Sequence, residues 1–159
     1  MAAKPIPEGF NTVSAYVIVK DPEKALDFYA KAFGAKPGVM MKMPGGGGVM
    51  HTEMHIGDST VMLSLENPEW QMKSAETLGG SPISLHIYTD DVDKAFKQAT
   101  DAGCQVTAPL MDAFWGDRYG KVQDPFGVQW GIATHKEDLS VPEMEKRAAE
   151  WFASLGDCK

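Results

Sequence analysis

Apolar positions along the chain follow two rhythms, and each switch between them marks an element. Residues Val13-Ser14-Ala15-Tyr16-Val17-Ile18-Val19 are rich in β-branched and aromatic side chains and predict a strand. Asp21-Pro22-Glu23 then supplies an N-cap, a proline at the first helical position and an acid in the first turn. Leu26, Tyr29, Ala30 and Phe33 recur at helical spacing, and Gly34 sits where a C-cap glycine belongs. Strands over 36–43 and 49–56 flank Pro44-Gly45-Gly46-Gly47-Gly48, and Gly57-Asp58-Ser59 turns the chain into another strand over 60–65.

The stretch 67–81 is mostly polar and aperiodic, with Pro68, Gly79 and Gly80, and reads as a linker. The opening order then returns: a strand over 84–89, a helix from Asp91, and strand-like segments at 105–110, 119–123 and 128–134. Asp21-Pro22-Glu23-Lys24-Ala25-Leu26 and Asp91-Val92-Asp93-Lys94-Ala95-Phe96 match at Asp, Lys and Ala. A βαβββ module therefore occurs twice, at 11–66 and at 82–135, and chance does not reproduce a whole order of elements. The tail over 139–156 predicts a helix opened by the capping box Ser140-Val141-Pro142-Glu143. Met144, Ala148, Trp151, Phe152 and Leu155 share one of its faces, which must dock on this chain's own sheet or on a partner subunit.

Composition narrows the function. The 159 residues suit one globular domain, with 43% hydrophobic and 23% charged side chains. A net charge of -7, from 15 basic and 22 acidic residues, argues against a nucleic-acid surface. No apolar run approaches the length of a membrane helix, which argues against a membrane partner. Two cysteines, Cys104 and Cys158, make no disulfide framework and point to the reducing cytoplasm. The expected partner is a small molecule or a second copy of the chain.

Several motifs carry a resemblance. They are Val19-Lys20-Asp21-Pro22-Glu23-Lys24-Ala25-Leu26-Asp27-Phe28-Tyr29, Phe33-Gly34-Ala35, Met50-His51-Thr52-Glu53, Ile56-Gly57-Asp58-Ser59 and Leu78-Gly79-Gly80-Ser81-Pro82. The second half adds Phe114-Trp115-Gly116-Asp117-Arg118, Asp124-Pro125-Phe126-Gly127 and Ala133-Thr134-His135-Lys136-Glu137-Asp138. With the repeat, the chain resembles the vicinal oxygen chelate superfamily of glyoxalase, bleomycin resistance and dioxygenase proteins, closest to its PhnB-like branch. The resemblance implies an α+β fold of two cupped mixed sheets, whose modules face each other across one cavity, and a homodimer.

It also implies where a divalent metal would bind, through His, Gln or Glu on the first and last strands of each module. Those positions fall on Ser14, Ser84 and Gly131, with Ser64 as the fourth by alignment of 61–64 with 128–131. Three serines and a glycine do not hold a transition metal, so no cofactor is expected. The alternative is a divalent metal on non-standard ligands drawn from His51, Glu53, His55 and His86.

Strand alternation places Ser14, Tyr16 and Ile18 on one face, and Ser84, His86 and Tyr88 on another. Tyr16 and His86 are repeat mates, read either as a pair across the cavity with acid–base capacity or as amphipathic core residues. His51, Glu53 and His55 share a strand face, as ligand contacts, as a metal trio or as a solvated hairpin edge. Trp115 and Arg118 offer stacking and a guanidinium to a planar or anionic ligand; the competing reading pairs Arg118 with Asp112, Asp117 or Asp124. Met62 and Gln129 complete the expected lining, and Gly45 to Gly48 form a hairpin tip rather than a phosphate loop.

Three functions fit. One is a metal-free small-molecule binding protein with a dimeric cup. The second is a divalent-metal lyase, isomerase or dioxygenase with non-standard ligands. The third is a metal-free acid–base enzyme using His86 and Tyr16.

Overall fold

A computed structural model describes residues 3–156, so Cys158 lies outside the described residues. In the first module, β1 (Ala15–Val19) leads into α1 (Pro22–Phe33), followed by β2 (Lys36–Lys42), β3 (Val49–Ile56) and β4 (Ser59–Leu65). The second repeats this as β5 (Ser84–Tyr88), α3 (Val92–Ala102), β6 (Gln105–Asp112), β7 (Asp117–Gln123) and β8 (Gln129–His135). Each module makes a four-stranded sheet, in the orders β1-β4-β3-β2 and β5-β8-β7-β6. The first strand runs parallel to the last, and the other pairs are antiparallel.

The repeated sequence builds repeated caps. Asp21 accepts a hydrogen bond from the Lys24 amide, and Asp91 accepts one from the Lys94 amide, so the shared Asp-x-x-Lys spacing starts both helices alike. The first strand begins at Ala15 rather than Val13, where the Ser14 hydroxyl turns back to the Asn11 carbonyl at 3.1 Å.

The expected linker is partly ordered. Asn67 caps a 3₁₀ turn over Pro68–Trp70, and Ser74 caps a one-turn helix α2 (Ala75–Leu78). The Ser74 amide and hydroxyl both donate to Glu66 at 2.7 Å. Hydrogen bonds from Thr77 and Ser74 hold the Glu66 carboxyl down at about 2. Short polar hydrogen bonds of this kind leave no apolar period, so the pattern could not show them.

Both sheets bury their helix-bearing faces in one core. Helices α1 and α3 pack together, and the Gln98 amide donates to the Lys31 carbonyl at 2.8 Å. Tyr29 and Phe33 of α1 cross to Trp130 of β8, with ring centroids 5.4 and 4.4 Å apart. Val19, Leu26, Met54 and Leu63 from the first module join Phe96, Val122 and Ile132 from the second in one cluster. Fully buried side chains of this size contribute roughly 1.5–3 kcal/mol each. The helices therefore share one core with the inner face of each sheet, and each polar face lies on the side of its sheet turned from that core.

Among the described residues, strands β1 and β5 are sheet edges with no partner on their outer sides. Tyr16, Ile83 and Tyr88 beside those edges are exposed, and a groove of about 570 Å³ runs along β1 against residues 73–85. The tail forms α4 (Val141–Gly156), and Trp151 and Phe152 reach Phe114 at 5.9 and 6.3 Å, so the face docks in part on this chain's own loop while Phe152 and Leu155 stay exposed. Among the described residues, no helix is long and apolar enough to cross a membrane.

Candidate functional site

On the first polar face the register sets rows across the sheet. Tyr16, Met62 and Glu53 form one row, and Ile18, Ser64 and His51 form the next. The Tyr16 hydroxyl lies 3.3 Å from His51 Nδ1, and the Glu53 carboxylate lies 4.0 Å from His51 Nε2. His55 is separated from this group: its Nδ1 pairs with the Thr60 hydroxyl at 3.0 Å, and Thr60 donates to the Gly9 carbonyl at 2.7 Å. The trio seen in sequence is thus divided between a site-facing pair and a histidine tied to the N-terminal segment.

On the second polar face His86 lies beside Gly131 on β8. A Cβ at Gly131 would stand 2.7 Å from His86 Nδ1 and 3.0 Å from the Tyr119 ring, so the imidazole fills the space a side chain there would need. The His86 ring stacks parallel to Tyr119 at 5.7 Å and lies 4.6 Å from Tyr88. Burial pushes the His86 imidazole below its ordinary value, against the opposing charge of Asp117, which favours the neutral ring. Ser84 donates to the Gln129 carbonyl at 3.3 Å, and the Gln129 side chain accepts from Thr107 at 3.4 Å.

Asp117 organises this face, whereas its residue type and spacing marked it only as one of three candidate partners for Arg118. Only 3% exposed, it accepts the Tyr88 hydroxyl at 3.1 Å, the Trp115 indole N–H at 2.9 Å and His135 Nδ1 at 2.7 Å. Burial pushes its carboxyl up, but hydrogen bonds from His135, Trp115 and Tyr88 outweigh this and hold it below the usual range. The only available signal was its position between the aromatic pair Phe114-Trp115 and a strand.

Asp117 and Asp138 in turn raise His135, whose Nε2 meets Asp138 at 3.0 Å. A raised histidine stabilises the fold below its unfolded value of about 6.5 and loses that contribution as pH climbs through the folded value. The melting-temperature gap between wild type and His135→Ala is therefore expected to be wider at pH 6 than at pH 9. An equal gap at both would show that His135 contributes no pH-dependent stability.

Arg118 points away from this face. Its Nε and one terminal nitrogen bind Asp93 at 2.9 and 2.7 Å, and the other terminal nitrogen binds Asp112 at 3.3 Å. It ties β7 to the start of α3, because strand alternation sends it to the side opposite Tyr119.

The Glyoxalase/Bleomycin resistance protein/Dioxygenase superfamily model matches residues 9–132. The chain belongs to this superfamily. An uncharacterized protein of Mycobacterium bovis is 36% identical over 137 residues, covering 84% of this chain and 89% of that one. Among solved structures, TioX from Micromonospora sp. ML1 superposes with a TM-score of 0.62 at 25% identity, covering 79% of this chain and 98% of its own. The PhnB protein of Bacillus cereus shares the fold, with a TM-score of 0.59 at 13% identity over 78% of this chain and 99% of its own.

Superfamily members often use a divalent metal, and the register tests whether this chain's residues fit one. Met62 lies across from Tyr16 as Gly131 lies across from its repeat mate His86, so Met62, not Ser64, is the counterpart of Gly131. The four positions then hold two hydroxyls, a thioether and no side chain, a donor set that does not fit a divalent cation. Among the described residues, no three His, Cys, Asp or Glu side chains are grouped to hold a metal ion.

Proposed function

We propose that this superfamily member is a cytoplasmic homodimer that binds a small planar molecule without the family's metal centre. The observation that carries this reading is the His86 ring filling the side-chain space over Gly131 and stacking on Tyr119. Around it, Asp117 holds Tyr88 and Trp115 in fixed orientations, which makes an aromatic platform with a neutral imidazole. Such surfaces suit flat ligands through stacking and a few placed polar groups. Each polar face is open on one chain, and the unpartnered β1 and β5 edges beside them favour closure of the cup by a second copy.

The test is fluorescence titration with a panel of planar aromatic compounds, reading the quench that Trp115→Phe removes. Gly131→Ala, which evicts His86, is expected to weaken binding at least about tenfold, near 1.4 kcal/mol. Unchanged affinity rejects the platform. A 17.3 kDa species in sedimentation at micromolar concentration rejects the dimer. Stoichiometric zinc, manganese, nickel or iron in protein purified without chelator rejects the metal-free reading.

A further inference from the structure

We propose that Tyr16, His51 and Glu53 form a proton relay on the first polar face, with the Tyr16 oxygen taking a proton from a bound ligand. Strands β1 and β3 supply the three side chains, and β4 sets Met62 between Tyr16 and Glu53 in the same row. The Tyr16 hydroxyl stands 3.3 Å from His51 Nδ1, with the rings edge to face at 77°. The Glu53 carboxylate stands 4.0 Å from His51 Nε2, a charge contact rather than a hydrogen bond. Catalytic contacts are often long before a ligand arrives and tighten with it.

A carboxylate beside Nε2 favours the neutral tautomer protonated there. Nδ1 is then the acceptor, and the Tyr16 hydroxyl donates to it. The phenol has only oxygen lone pairs left to present outward, so its ligand must bring a donor. That selects an acidic hydroxyl, phenolic or enolic. As the ligand O–H breaks, its proton joins the Tyr16 oxygen, and the tyrosine proton passes to His51 Nδ1. The charge on the resulting imidazolium faces Glu53. Two protons have each moved one place, a net transfer of one proton from the ligand to His51, and no electrons leave the system.

The surroundings give these groups no structural use. The side chains of His51 and Glu53 are only 18% and 19% exposed. Among the described residues, the Glu53 carboxylate accepts no hydrogen bond and meets no basic group but His51. Among the described residues no buried side-chain oxygen lacks a partner, so the Glu53 carboxylate, which accepts no hydrogen bond, keeps contact with water and is free to answer a charge on His51. Two of the other three histidines are bound structurally, His55 to Thr60 and His135 to Asp117 and Asp138. Tyr16 is 49% exposed, so its oxygen is open to a ligand, while Met41 and Met62 lie beside His51 and Tyr16 in the pairing as adaptable apolar neighbours.

The inference rests on the proposed ligand reading only for the existence of a ligand, and its first test needs none. Imidazole nitrogen NMR is expected to show neutral His51 protonated at Nε2 in wild type, with population moving to Nδ1–H in Glu53→Leu. A wild-type Nδ1–H tautomer, or no change in Glu53→Leu, overturns the relay. The second test uses 4-nitrophenol as the probe. Bound to wild type it should show its phenolate band at a pH where the free compound is neutral, and Tyr16→Phe and His51→Asn should abolish that ionisation. A bound probe as neutral in wild type as in Tyr16→Phe also overturns it. Failure of nitrophenol to bind counts against the binding reading, and the nitrogen signals then decide the relay alone.

Discussion

Asp124→Ala is expected to cost about 3–5 kcal/mol of folding stability. The carboxylate is 4% exposed and receives four donors. The Tyr29 hydroxyl and the Trp130 indole N–H approach at 2.8 Å, and the Phe126 and Val128 amides at 2.9 Å. Each buried donor left without an acceptor costs about 1–3 kcal/mol, less whatever an entering water recovers. Tyr29 comes from the first module and the other three from the second, so the loss also loosens the joint between them. Urea unfolding measures this, and a midpoint change worth less than about 1 kcal/mol would show that the network is not what joins the modules.

Gly116→Ala comes next, at about 2–4 kcal/mol from a strained backbone and an overfilled contact together. Gly116 has φ +98°, and a Cβ there would press into the Glu137 carbonyl oxygen. Its own carbonyl accepts the Lys136 and Glu137 amides at 2.9 and 3.0 Å, which fixes the chain between β8 and α4. The substitution should lower the melting temperature and open residues 136–140 to limited proteolysis. Unchanged cleavage there, with a lowered melting temperature, would show that the tail is held by the Phe114 contacts instead.

The repeat was legible because it rests on local rules. Caps such as Asp21 and Asp91 act within a few residues, and strand alternation puts Tyr16 and His86 on polar faces whatever the sheets later pack against. The poor metal donors were legible for the same reason, since the donor chemistry of Ser14, Ser84 and Gly131 belongs to the residues themselves. Their fourth partner was not. Choosing Met62 over Ser64 needed the β1–β4 register, which hydrogen bonds between distant segments set. Arg118 shows a similar limit: its charge was plain in sequence, but only the fold set Asp93 beside it.

The sequence by itself therefore determined the α+β class, the twice-used βαβββ order and the superfamily likeness. The tertiary structure decided how the polar faces stand to one another and which of their groups meet. Tyr29 and Phe33 of the first module cross to Trp130 of the second and join both modules in one core. That packing gathers both helices into one core and leaves Tyr16 and His86 on the faces turned from it. Pairing between distant segments, which no local period encodes, sets Tyr16 against His51 and His86 over Gly131.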